Sequence, residues 1–203
     1  PSRSITYFTF NLDPSDDDKS QILSEMNDLI SDKKIFNKRL NVEEIDLGFQ
    51  NTKDLKNFIT QNGDNSYKLE VVSLEEFKKI QKERRSDNDL VYPYFDKNSC
   101  KMARIINVES DSVSLVYLER ELYASDQTLN EIYSNVFDFI NDNKKITDAK
   151  EVSKQINNRP RTVTLEKMDQ SVPGLGVARE IVRWAFSDET NVNKTKFFDL
   201  QDK

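Results

Sequence analysis

The sequence predicts an α+β protein of two similar β–α lobes, with amphipathic helices packed on short antiparallel sheets. Three observations predict it. Runs rich in aromatic and β-branched residues, such as Ser4–Phe10 and Ser112–Leu118, are short and broken by polar turns, as strands are. Longer stretches carry apolar residues three and four apart behind capping signals, as amphipathic helices do. One strand–helix pair is also echoed. Ser4-Ile-Thr-Tyr-Phe-Thr-Phe10 with Ser15, Ile22, Met26 and Ile30 parallels Ser112-Val-Ser-Leu-Val-Tyr-Leu118 with Ser125, Ile132, Val136 and Ile140. Two copies are too few for a solenoid, and chance likeness of two ordinary β–α units is the competing explanation. The echo sets a boundary near Lys97–Ser112, with one lobe over residues 1–98 and a second over 99–203.

The elements follow in order. Ser4–Phe10 is a strand. Asp13 suits an N-cap, with Pro14 at the first helical position and Asp16, Asp17 and Asp18 in the first turn. Ile22, Leu23, Met26, Leu29 and Ile30 then form one helical face. Val42–Phe49 reads as a strand ending in a turn at Gly48. Asn51–Ile59 reads as a short helix with Leu55, Phe58 and Ile59 inward, and Tyr67–Val72 as a strand. Ser73-Leu-Glu-Glu76 has the spacing of a capping box, opening a helix that buries Leu74, Phe77 and Ile80. Leu90–Phe95 and Lys101–Val108 are strands around a turn at Asp96–Ser99, and Ser112–Leu118 is another. Ser125 caps a helix carrying Leu129, Ile132, Tyr133, Val136 and Ile140. Thr147 caps a further helix with Ala149, Val152 and Ile156. Arg161–Leu165 returns as a strand, Gly176 opens a helix to Phe186, and Lys196–Leu200 is a last strand.

Composition excludes several functions. Net charge is −6 and the pI about 4.9, so a basic nucleic-acid footprint is absent. Arg159-Pro-Arg161 and Lys82-Glu-Arg-Arg85 are short enough to be solvated loop and helix-end charge. Mean hydropathy is −0.74, but twelve Phe, seven Tyr and one Trp supply material for a core. No stretch approaches the roughly 20 apolar residues of a membrane helix. The chain opens on Pro1 without a signal-peptide pattern, and the expectation is a processed or excised piece of a longer protein.

Little in the sequence carries chemistry. Without histidine, the common triads and His-containing metal sites are excluded, so no catalytic residue, metal site or cofactor is expected. Cys100, the single cysteine, forms no internal disulfide and suits a buried small hydrophobe. The paired acids Glu43-Glu44 and Glu75-Glu76, like Asp16–Asp18, are adjacent in sequence and do not face each other on a helix. Gly174-Leu-Gly176 lacks the third glycine of a nucleotide loop. The aromatic residues are more informative. Alternation puts Phe8 and Phe10 on one face and Tyr7 on the other. Tyr92, Phe95 and Trp184 are the candidates for contact with apolar segments of another protein. Trp184 lies off the main apolar face of its helix, Val177, Ala178, Ile181, Val182 and Ala185.

The run Met168-Asp-Gln-Ser-Val-Pro-Gly-Leu-Gly176, continuing through Val177-Ala-Arg-Glu-Ile-Val-Arg-Trp-Ala-Phe186, resembles one near the C-terminus of PpiD/SurA-type envelope folding factors. These are chaperones bearing a parvulin-type peptidyl-prolyl isomerase module. Ile5–Ser15, Tyr94-Phe95 with Lys101–Ile106, Leu118-Glu-Arg-Glu121 and Ser125–Tyr133 also resemble stretches of that family. In the family a parvulin module separates the segments that here join at about Val108 to Ser112. This chain has four glycines and no histidine, and no room for that module. The resemblance therefore implies the chaperone region alone, lacking the isomerase by gene loss or by excision. It implies an ATP-independent periplasmic holdase for unfolded or newly translocated envelope proteins, with a membrane anchor upstream as an open option. The alternative is a module docking to a translocation or secretion complex, or to a second copy of the chain. A third option, an isomerase in its own right, would need an unrecognised pocket of carboxylates, Tyr and Arg.

Overall fold

The structure, a computed structural model, describes residues 2–142 and 159–200. It is α+β, and its described residues hold five helices and several short antiparallel sheets, as the strand and helix signals predict. The expected helix from Thr147 lies outside the described residues. The chain divides into two compact units, Asp13–Thr128 and a discontinuous one of Pro1–Leu12 with Leu129–Lys203. The 98/99 boundary expected from the echo falls instead in the turn of a tight hairpin whose two strands pair with each other.

In the continuous unit, helix α1 covers Asp16–Asp28. Its N-cap is Ser15, not Asp13. Asp18 N donates to Ser15 Oγ (3.1 Å) and Ser15 N to Asp18 Oδ2 (2.9 Å), a reciprocal capping box that Asp13 is too far upstream to form. Strands β2 (Lys33–Asn37) and β3 (Val42–Asp46) form a hairpin, and β2 was not foreseen. Its signal was the Asx geometry at the turn. Asn37 Oδ1 accepts from Arg39 N and Leu40 N, and Asn41 takes a positive φ of 54°. Gly48 then packs against the backbone of Ile30 with no space for a Cβ, while its N–H donates to Asp32 Oδ1 at 2.9 Å. Helix α2 (Leu55–Asn62) starts at the cap Asp54, later than the expected Asn51.

Strand β4 (Leu69–Ser73) runs straight into helix α3 (Leu74–Glu83), whose first turn Ser73 caps by accepting from Glu76 N. Strands β5 (Leu90–Asp96), β6 (Ser99–Val108) and β7 (Ser112–Glu121) complete a four-stranded antiparallel sheet in the order β4-β7-β6-β5. Period-two alternation gives this sheet two apolar faces. Cys100, Met102, Val116 and Leu118 face Ile22, Met26, Phe49 and Ile59. Ala103, Val113 and Leu115 face Phe77, with Leu74 and Ile80 beside it. Helices thus cover both faces, and each fully buried Leu or Met side chain contributes about 2 kcal/mol by leaving water. Cys100 is among them, as expected. Burial pushes its thiol up to about 11, only partly offset by the nearby Arg120 charge.

In the discontinuous unit, β1 (Ser2–Tyr7) pairs antiparallel with β8 (Arg161–Glu166). Helix α4 (Asp126–Asp142) starts in the continuous unit and carries on into this one. Gly176 does not open a helix. Gly176-Val177 forms β10, paired with β9 (Ser171-Val172), and helix α5 begins only at Arg179 and ends at Ala185. Gly174 and Gly176 have φ of 88° and 76°, a left-handed backbone that makes a tight hairpin and cannot start a helix. Leu165, Val172, Ala178, Ile181, Val182 and Ala185 make the core. The strand expected at Lys196–Leu200 is absent; that segment has no regular secondary structure.

Candidate binding surfaces

The three residues singled out from sequence stand in different surroundings. Tyr92 packs against the α1 side of the sheet. Its hydroxyl donates to Asp87 Oδ2 (2.8 Å), and the Arg85 guanidinium lies over its ring at 4.2 Å. The bond to Asp87, with some burial, raises its phenol above the ordinary tyrosine range. Phe95, on the same strand, is exposed at 36%. Trp184 belongs to the other unit, half-buried, with Phe198 edge-on at 5.5 Å. Tyr94 is turned to the α3 side, because the register slips between Val91 and Tyr94 at Pro93. Burial raises its phenol, and the phenol of neighbouring Tyr117 is pushed up to about 12 by the same cause.

Larger apolar surfaces lie elsewhere, on elements that sequence periodicity did not mark as binding sites. The two edges of the four-stranded sheet differ. At β5 the edge is closed: Tyr92 N donates to Arg85 O and Asp87 N to Leu90 O, both 2.9 Å, and Pro93 supplies no N–H. At the other end β4 has, among the described residues, one strand partner, β7. Leu69 and Val71 lie on one face by alternation, opposite Val116 and Ser114 of β7. Both are exposed, Val71 at 64%, and Tyr67 two residues earlier is exposed as well.

The β2–β3 hairpin is the second apolar surface. Lys34, Phe36, Glu43 and Ile45 share one face, Ile35 and Val42 the other. Ile35, Phe36, Leu40, Val42, Ile45 and Leu47 are all exposed, Phe36 at 58%. Two strands with apolar residues open on both faces are marginal in water without a further partner. In the sequence these residues were masked by interleaved lysines and glutamates, which hide an apolar pattern from a hydropathy scan.

A third feature ties helix starts together. Ser15 and Ser125, the aligned caps of the strand–helix echo, meet in space. Thr128 Oγ1, buried, donates to Asp18 Oδ2 (2.7 Å) and lies 3.0 Å from Ser15 Oγ, while Thr128 N donates to Ser125 Oγ at 3.3 Å. Hydrogen bonds from Ser125, Thr128 and the Ser15 backbone hold the Asp18 carboxyl far below the usual range. Asp18 and Thr128 are the third residues of α1 and α4, so the echo forms a mutual double cap. This arrangement is structural. Among the described residues no cluster of three or more acids and cysteine is placed to hold a metal ion, and no helix is long and apolar enough to cross a membrane.

Comparison of the chain with protein-family models, with curated proteins and with solved structures finds no match.

Proposed function

We propose that this chain is an ATP-independent holdase that keeps extended segments of unfolded envelope proteins from aggregating. The observation that carries the reading is the open β4 edge with Tyr67, Leu69 and Val71 exposed along it. An extended client can add to such an edge through main-chain hydrogen bonds, which need no common sequence, while alternate apolar side chains rest on Leu69 and Val71. Period-two apolar chains are what unfolded β-barrel strands present. The closed β5 edge gives the sheet one open end rather than two, so strand addition there does not propagate into a polymer. The resemblance of Met168–Phe186 to PpiD/SurA-type factors supports the same reading and a periplasmic setting. The net charge of −6 keeps a chain with this much exposed apolar surface in solution.

The β2–β3 hairpin favours a second reading, docking to one defined partner in a translocation complex or to a second copy, because its apolar patch is bounded and stands on its own pair of strands.

The test is light scattering of a denatured outer-membrane protein diluted into buffer with the chain at near-equal concentration. Suppressed aggregation that is lost in Val71→Lys, with thermal stability within about 0.5 kcal/mol of the original, supports the holdase reading. No suppression in several-fold excess sinks it. Loss with Phe36→Lys but not Val71→Lys moves the activity to the hairpin.

A further inference from the structure

The surface around Trp184 is already covered, and by a piece of this chain. Residues 195–200 lie outside any helix or strand. Their two adjacent aromatic residues, Phe197 and Phe198, meet different helices. Phe197 meets α4, with ring centroids 6.1 Å from Tyr133 and 5.4 Å from Phe137. Phe198 meets α5, edge-on to Trp184. Tyr133 Oη donates to Asp199 Oδ2 at 3.0 Å, which holds the phenol above its ordinary range, and Lys196 Nζ lies 5.1 Å from the Phe198 ring. The cover is partial: Phe197, Phe198, Tyr133 and Trp184 are half-buried, and Phe137 is 49% exposed despite its contact. A core would have enclosed these rings; here an irregular aromatic segment lies on an aromatic surface.

We infer that Tyr133, Phe137 and Trp184 form a peptide-binding surface for extended segments carrying two adjacent aromatic residues followed by an acid, and that residues 195–200 are its built-in occupant. The chemistry of the occupant defines the partner. Two successive rings engage the two helices, and a carboxylate one position on takes the Tyr133 hydroxyl. The tether gives the internal segment a high effective concentration, so it competes with outside segments and lowers their apparent affinity by the fraction of surface left free. The inference rests on the reading that this chain holds extended segments of other proteins. It concerns a surface apart from β4.

Trp184 is the only tryptophan in the chain and reports the site directly. The probe is a synthetic peptide with the sequence of residues 193–200, Asn-Lys-Thr-Lys-Phe-Phe-Asp-Leu, which contains no tryptophan. Titrated into the full chain carrying Phe197→Ala and Phe198→Ala, it is expected to give a saturable change in Trp184 fluorescence. The affinity should be at least about tenfold tighter than for the unaltered chain. A peptide with both Phe replaced by Ala should give none. Absence of a saturable change in the variant, or equal affinity in both chains, overturns the inference. If the double variant fails to fold, Asp199→Asn removes only the charged acceptor for Tyr133, and a several-fold gain in peptide affinity is expected; no gain overturns the inference. Peptide binding with no suppression of aggregation would overturn the holdase reading and leave this surface standing. Suppression without peptide binding would do the reverse.

Discussion

The two units of this chain reach stability by different routes. The Asp13–Thr128 unit has a four-stranded sheet with helices on both faces, and its core side chains, Phe49, Met26, Met102 and Leu118, are fully buried. The discontinuous unit has two-stranded sheets, and half-buried aromatic pairs do much of its packing: Phe8 and Phe10 on Phe139 at about 6 Å, and Phe197 on Phe137. Its first strand finds its partner some 160 residues away, Ser4 opposite Thr164. A sheet closed within one stretch of chain can be rigid and leave apolar residues at its rim. A unit assembled from distant segments has fewer layers to bury its rings, and leaves them half-open. Exposed apolar surface therefore differs in origin between the units, an open sheet edge and a bare hairpin in one and an incomplete cover in the other.

That contrast can be broken most sharply at Phe49. Phe49→Ala should destabilise the continuous unit by about 4 kcal/mol, since it empties a fully buried site beside Phe58. Hydrogen exchange should show the loss in β5, β6 and β7; a loss confined to β1 and β8 would refute the division into units. Gly48→Ala should cost about 3 kcal/mol in the same unit, because the new methyl meets the Ile30 backbone and neither side can yield. Denaturant midpoints measure it. Leu165→Ala should cost about 2.5 kcal/mol, read as faster exchange in β1, β8 and α5 with the four-stranded sheet still protected.

A smaller effect sharpens the role of the double cap. Thr128→Val removes the donor to Asp18 and should cost about 1 kcal/mol, with fraying of the first turns of both α1 and α4. Fraying of α4 alone would mean that the caps act singly. The last effect is electrostatic and is absent at neutral pH. The Cys100 thiol is raised from 9.0 to about 11, so both folded and unfolded chains hold the proton below pH 9. Above that the unfolded chain ionises first, and stability falls as pH rises from 9 to about 11. A thiol reagent at pH 8 should label Cys100 only after denaturant is added; fast labelling of the native chain would contradict its burial.

Much of the fold was legible locally. The four strands from Tyr67 to Leu118 and the helix after Ser73 lay within a few residues of their places, because alternation and caps are properties of short stretches. Local signals misled where glycine was ambiguous. Gly176 precedes apolar residues at helical spacing, yet its positive φ serves a β-turn. The candidate surface was legible only in part. Trp184 was marked by its position off the apolar face of α5, but the β4 edge was not, since exposure at an edge depends on which strand ends the sheet.

The sequence by itself determined the α+β class, the burial of Cys100, the apolar faces of α1, α3 and α4, and the echo of Ser15 with Ser125. Each is written in spacing a few residues long. Only the tertiary structure decided that β4 rather than β5 is the open edge, that Thr128 links the two capped turns of the echo, and that Phe198 covers Trp184. These depend on pairings between residues tens to hundreds apart, and free energy spread over such contacts leaves no periodic mark in the chain.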